Sequence, residues 1–270
     1  MIAFGCSIGE VEPYMRYARP GLQRAAEPSS LILPFASVGT LGRSYNLLLE
    51  AAAASEDLEA LVIVHPHTEI VDARFCEKLR EEIRDPQVAV VGCAGATDVR
   101  SIAWWEGTVS SGPVIHRYHE YGGGEVPAYA WTARNPAPAE VETVDGRLLM
   151  VLSAWAVRNM RFDEGLFFGP GHDLDYCLRA RAAGRSIRVT DFQVIAHRTI
   201  NIASEPELWV EAHIALARKW SGLIGEPDGA EVDWKSRARR AEAEREAARA
   251  IAYSRRLALD ARIQALERSL

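Results

Sequence analysis

The feature that most limits what this chain can become is a rhythm in its first hundred residues, where short apolar runs rich in β-branched side chains alternate with helical patterns. Ile2 to Cys6, Leu31 to Pro34, Leu61 to His65 and Val88 to Cys93 read as strands, with helices over Arg43 to Ala54 and Asp72 to Arg84 between them. That alternation predicts an α/β fold with a mainly parallel central sheet. Ligands of such sheets collect beyond the carboxyl ends of the strands, so the residues after Val64 and Cys93 come first in a search for chemistry.

Composition narrows the class further. The chain has 270 residues, 48% hydrophobic and 25% charged, which suits one large domain with at most an appendage. No run of about 18 apolar residues suggests a transmembrane helix, and the segment from Met1 to Cys6 lacks the basic flank of a signal peptide, so the expectation is a cytoplasmic protein. Cys6, Cys76, Cys93 and Cys177 fall singly, which predicts buried reduced thiols rather than disulfides or a thiolate metal site. The net charge of −6 is uneven: residues 235–270 carry ten basic and five acidic residues, leaving 21 against 32 in the first 234. An acidic body argues against nucleic acid as a partner.

From Ala94 to Glu142 the regular pattern lapses into Gly, Pro and aromatics, a functional loop rather than a linker, since it holds Trp104, Trp105 and Trp131. Alternation resumes with a strand over Val144 to Leu152, a helix from about Ser153, a helix over Leu174 to Ala183 and strands at Ile187 to Thr190 and Gln193 to Ala196. Ser204 and Glu207 have capping-box spacing before a helix with Trp209, His213, Leu216 and Trp220 on one face. The expected domains are 1–222 as the globular body, 223–233 as a linker and 234–270 as one long helix free of Gly and Pro. That helix could form a coiled coil joining two subunits, pack on its own body or connect to a further segment.

Two constellations could carry chemistry. In Leu61-Val-Ile-Val-His65-Pro66-His67-Thr68-Glu69 a buried strand runs into two histidines one residue apart, able to face one ion, although a polar surface turn explains them as well. In Phe162-Asp163-Glu164-Gly165 through Gly171-His172-Asp173-Leu174-Asp175 to Arg179, Asp173 sits where a helix N-cap belongs and Asp175 pairs with Arg179 four residues on. Capping accounts for these carboxylates, but not for the glycine-rich, aromatic approach to them. His197, at the end of a strand, is a third element.

In this order, with Val144-Asp145-Gly146 and Met150 between them, and with Ser37-Val-Gly-Thr-Leu-Gly42-Arg43-Ser-Tyr45-Asn46 upstream, the motifs resemble a GT-A glycosyltransferase of the family 2 type, nearest the StrF-like branch. The resemblance covers roughly residues 1 to 220. It implies a GT-A (Rossmann-like) fold and transfer of a sugar from a nucleotide-sugar donor to a carbohydrate or glycosylated acceptor. The family's metal-binding Asp-x-Asp falls on His65-Pro66-His67, where both carboxylates are absent; His67 with His197 would hold a divalent cation, Mn²⁺ rather than Mg²⁺, or the enzyme would work without one. Asp173 inherits the general-base role, and His172 stands where the family usually has Glu. Ser7, Glu10, Glu12, Arg43, Asn46 and His65 would line the donor site; Trp104, Trp105, Trp131, Asp145 and His172 would line the acceptor site, flat rings covering the C–H face of a pyranose.

Two other classes remain in view. A metal-dependent hydrolase also starts from His-x-His at a strand end, but the residues after His67 cannot supply the βα units of a barrel. A GT-A-like module that binds a nucleotide or glycan without transfer is favoured by the missing carboxylates and opposed by Asp173.

Overall fold

The computed structural model describes residues 1–118, 124–127, 133–166, 170–198, 206–221, 253 and 256–268. β1 (Ile2–Ile8) leads into α1 (Val11–Pro13), a π-helical stretch (Tyr14–Ala18) and α2 (Arg19–Ala25), followed by β2 (Leu31–Ala36), α3 (Leu41–Ala53) and β3 (Ala60–Val64). Next come β4 (Thr68–Ile70), α4 (Phe75–Ile83), β5 (Val88–Gly92), β6 (Ala94–Thr97), β7 (Thr108–Ser111), β8 (Val114–Tyr118), β9 (Gly124–Pro127) and β10 (Ala133–Pro136). β11 (Ala139–Val141), β12 (Thr143–Val144), β13 (Leu149–Ser153), α5 (Ala154–Asn159), α6 (His172–Ala182), β14 (Ser186–Val189), β15 (Val194–Arg198) and α7 (Pro206–Lys219) complete the order.

Seven strands form the central sheet in the order β11-β14-β5-β13-β3-β1-β2. β1, β2, β3, β5 and β14 point one way, while β13 is antiparallel to β3 and β5, and β11 to β14. Side-chain alternation divides the core into two layers. Ile2, Phe4, Val62 and Val64 pack with Leu22, Phe75 and Leu79 of α2 and α4; Leu61, Ile63 and Leu152 pack with Leu48, Leu49, Val157 and Tyr176 of α3, α5 and α6. All four cysteines are buried thiols, as expected, and burial pushes Cys6 and Cys177 up to about 12.

Three local differences from the sequence expectation matter for the site. The stretch from Ala94 onward is not without strands: β6, β7, β10 and β12 form one four-stranded sheet, and β4, β8, β9 and β15 another. β6 to β10, which lie inside that stretch, are four or five residues long each, too brief for periodicity to register. The single strand expected over Val144 to Leu152 is split into β12 and β13 by a turn at 145–148, because Asp145 accepts a hydrogen bond from the Arg147 amide at 3.0 Å and Gly146 follows it. Finally, Gly171 rather than Asp173 is the N-cap of α6, with φ at 85°, a left-handed value that suits glycine, so Asp173 lies inside the first turn. Ser204, the linker 223–233 and most of 234–270 lie outside the described residues; 253 and 256–268 are helical.

Candidate active site at the carboxyl edge of the central sheet

Three pieces of backbone meet where the parallel strands end. The antiparallel register of β13 on β3 pairs Leu149 with Val64, so the Asp145 to Leu148 turn lies against the segment leaving β3. There the His65 amide donates to the Leu148 carbonyl at 3.2 Å. The third piece is the start of α6: Asp173, 6% exposed, accepts from the Gly146 amide at 2.8 Å through Oδ2 and from the Leu174 amide at 2.9 Å through Oδ1. A Cβ on residue 146 would come within 2.7 Å of the Asp173 Cβ, so only glycine permits this approach. Asp145 is also buried, and the carboxylates of the two motifs that stand 28 residues apart in the chain become neighbours through Gly146.

The histidine turn is organised by backbone as well. The His67 amide donates to His65 Nδ1 at 3.3 Å, and His67 Nδ1 lies 3.1 Å from the His197 carbonyl. A carbonyl only accepts, so this bond places a proton on Nδ1 of His67 and leaves the Nε2 lone pair for another partner. Nε2 stands 3.8 Å from Glu10 Oε1. That separation is too long for a hydrogen bond between the two, and it leaves room for a cation between two electron-pair donors.

His197 takes a different part from the one expected. Its Nε2 meets Glu69 Oε2 at 3.0 Å and its ring stacks on Tyr17 at 3.8 Å, so it joins His67 through its carbonyl and not as a second imidazole ligand. The cause is β15, which pairs with β4 and turns the His197 ring toward Glu69. Among the described residues, no group of three or more His, Cys, Asp or Glu side chains is assembled to hold a metal. Glu69 lay within the quoted His-x-His motif, two residues after His67, and alternation along the strand was the available signal for it; Tyr17, in the π-helical stretch, gave none.

Other expected residues sort by burial. Ser7, buried at the end of β1, shares a 2.8 Å hydrogen bond with Ser37, while Glu10, Glu12 and Arg43 are exposed, Arg43 lying 3.5 Å from Glu164. Asn46 is 4% exposed and stitches α3 to the segment 162–164, donating to the Phe162 carbonyl and to Glu164 and accepting from the Phe162 amide. Trp104 is likewise a core residue, 4% exposed, so neither ring face is open to an acceptor sugar. Trp105 is partly buried against Trp209 of α7 at 5.5 Å, and Trp131 lies outside the described residues. His172 is buried beside Asp173, its ring edge against Tyr45 at 5.4 Å. Burial pushes the Tyr45 phenol up, and Cys6 and the Asp173 carboxylate add to the shift.

Sequence reasoning missed the brace behind α6. Asp175, fully buried, receives Arg179 Nε at 2.9 Å as the spacing predicts, but also Trp220 Nε1 at 2.9 Å and Lys219 Nζ at 2.7 Å from the end of α7. Lys219 also pairs with Asp163, holding that carboxyl below its usual range. A contact spanning more than forty residues has no local signature, so nothing in the sequence could announce it.

No model of a known protein family matches the chain. Two comparisons do. The streptomycin biosynthesis protein StrF of Streptomyces griseus is 30% identical over 201 residues, covering 73% of this chain and 66% of StrF. The crystal structure of GalNAc-T7 with UDP, GalNAc and Mn²⁺ superposes with a TM-score of 0.59 at 8% identity, covering 94% of this chain and 56% of that one. The chain is a GT-A-fold relative of StrF. As in the GT-A expectation, its central sheet is mainly parallel. Among the described residues of this GT-A chain, no helix is long and apolar enough to cross a membrane.

Proposed function

We propose that the chain transfers a glycosyl group from a nucleoside-diphosphate sugar to an acceptor hydroxyl with inversion, Asp173 acting as general base. The observation that carries this reading is the meeting of Asp173, the Asp145-Gly146 turn and the His65-Pro66-His67 turn at the carboxyl edge of a GT-A sheet, where α/β folds bind ligands. Two backbone amides hold the Asp173 carboxylate, and its remaining lone pairs can accept a proton. As the acceptor oxygen bonds to the anomeric carbon, its proton passes to Asp173 and the nucleoside diphosphate departs with the electrons of its C–O bond. One displacement inverts the configuration.

Ser7, Glu10, Glu12, Arg43 and His65 are assigned to the donor side, and Trp105, Trp131, Asp145 and His172 to the acceptor side. A divalent cation fits the donor set at His67 Nε2 and Glu10, an imidazole and a carboxylate that suit Mn²⁺ better than Mg²⁺. Such an ion would neutralise charge on the diphosphate leaving group. The body of the chain is acidic and does not attract a diphosphate by itself, which makes Arg43 and a cation the natural counter-charges.

The test is thermal melting against a panel of nucleoside diphosphates with Mn²⁺ or with EDTA. At least one should raise the melting temperature, and more so with Mn²⁺. No shift in either condition would overturn the donor site. The loss of both Asp-x-Asp carboxylates favours a second reading, nucleotide binding without transfer. Incubation with sugar nucleotides and acceptors separates the two, since only a transferase releases free nucleoside diphosphate.

A further inference from the structure

No side chain among the described residues caps α6, which opens at the left-handed Gly171 and carries Asp173 and Asp175 in its first turn. A helix start of that kind leaves its first amides without intrahelical partners, and it frays unless other segments hold it. A step of two residues along an α-helix turns about 200°, so the two carboxylates leave the turn in nearly opposite directions. Asp173 meets the Gly146 amide at 2.8 Å, and Asp175 meets the end of α7: Lys219 Nζ at 2.7 Å and Trp220 Nε1 at 2.9 Å, both on Oδ1. Leu216, one turn before Trp220, packs with Leu174 and Leu178 and sets α7 against this end of α6. Any rotation of the turn that swings Asp173 off Gly146 therefore also pulls a fully buried carboxylate off Lys219 and Trp220.

Lys219 reaches further than α6. The same ammonium pairs with Asp163 Oδ2, and Asp163 Oδ1 accepts from the Gly165 amide at 2.8 Å, so the residue before the glycine-rich approach to α6 is held by the cation that holds the helix start. Asp163 is confined on its other side by α3, where a Cβ on Gly42 would come within 2.8 Å of the Asp163 carbonyl and Asn46 bonds both the amide and the carbonyl of Phe162. One cation thus ties the first turn of α6 to a segment already fastened to α3. An uncharged side chain in place of Lys219 would take a counter-charge from both carboxylates, and the cost is greater at Asp175, because it is the one that solvent does not reach.

We propose that Lys219 is a positioning residue of the transfer site, fixing through Asp175 and Asp163 the first turn of α6 and so the direction in which Asp173 offers its carboxylate, a role that rests on the reading of Asp173 as the base. Hydrogen exchange at the Gly146 and Leu174 amides, followed by NMR on the full chain, measures the hold on Asp173 without any need for transfer. Lys219→Met should speed exchange at both by about tenfold while the amides of β3 keep their protection, and Lys219→Arg should restore most of it. In steady-state transfer Lys219→Met should lose about tenfold in kcat with KM for the sugar nucleotide within about twofold of wild type. Added to Asp173→Asn it should cost nothing more, because it acts through that carboxylate. Trp220→Phe removes one hydrogen bond and no charge; it should move each value the same way by less, and it carries the test where Lys219→Met does not fold. Unchanged exchange at both amides in the folded variant, or an equal loss of protection across β3, overturns the proposal, as does a full further loss of kcat in the Asp173→Asn background. Faster exchange in Lys219→Met together with wild-type transfer by Asp173→Asn overturns the base and leaves the positioning of its side chain standing.

Discussion

The two edges of the central sheet treat charge in opposite ways. At the amino edge, Glu59 stands just before β3 and Glu27 before β2, and Arg80 of α4 joins them with bonds of 2.6 Å to Glu59 and 2.7 Å to Glu27. Side chain answers side chain there, and Arg80 holds Glu59 down at about 2. At the carboxyl edge, Asp173 instead accepts hydrogen bonds from the backbone amides of Gly146 and Leu174. Full compensation suits a structural edge, because a charge already neutralised has little to offer a ligand. A carboxylate held by fixed dipoles keeps its orientation and its capacity to take a proton.

Replacing the two edges in turn should separate fold from chemistry. The largest effect is expected from Asp173→Asn, which should lower transfer by about 10²-fold or more. The structure adds a cost that a capping role would not: one amide oxygen cannot serve both the Gly146 and Leu174 amides, so stability should fall by about 1 kcal/mol while nucleotide binding persists. Transfer at the wild-type rate would remove Asp173 from the mechanism.

Gly146→Ala tests the contact instead of the carboxylate. The new methyl would press on the Asp173 Cβ at 2.7 Å and the Met150 sulfur at 3.0 Å, costing about 1 to 3 kcal/mol and displacing Asp173. Reduced kcat with Asp173 chemically intact is the expected result in steady-state kinetics. Full activity would show that the two motifs need not touch.

The smallest effect belongs to the amino edge. Glu59→Gln should lower the melting temperature at pH 7 by about 1 to 2 °C and leave transfer unchanged. The native carboxyl is depressed from 4.5 to about 2, so its stabilisation is complete above about 4.5 and is lost as the pH falls toward 2. The gap between wild type and variant, followed by acid titration in circular dichroism, should therefore close over that interval. A gap that persists at pH 2 would assign the effect to packing instead of charge.

Much of this arrangement was legible in the residues. The strands at Ile2, Leu31, Leu61 and Val88 and the helices between them appear within a few residues of their expected bounds, because burial on both sides of a parallel sheet writes itself as unbroken apolar runs. The family resemblance, carried by ordered motifs, led to the GT-A fold, and Asp173, Asp145 and His67 do gather at one edge. What misled was residue chemistry taken without its neighbours. Asn46 and Trp104 are residue types that bind sugars and nucleotides well, yet one is spent on the Phe162 backbone and the other on the core.

The sequence by itself determined the alternation of elements and the mainly parallel sheet they build, and it singled out Asp173 and the histidine turn as residues to look for. These follow from local periodicity and from short motifs, both of which live within a few residues. Only the tertiary structure decided that the strand after the aromatic region turns at Asp145 and returns antiparallel, that Asp173 rests on Gly146 rather than capping its helix, that His197 serves Glu69 and offers His67 a carbonyl, and that Lys219 and Trp220 brace Asp175. Each of these depends on which backbone amide or side chain arrives from a distant segment, and hydrogen bonds and ion pairs act over a few ångströms of space whatever the separation along the chain.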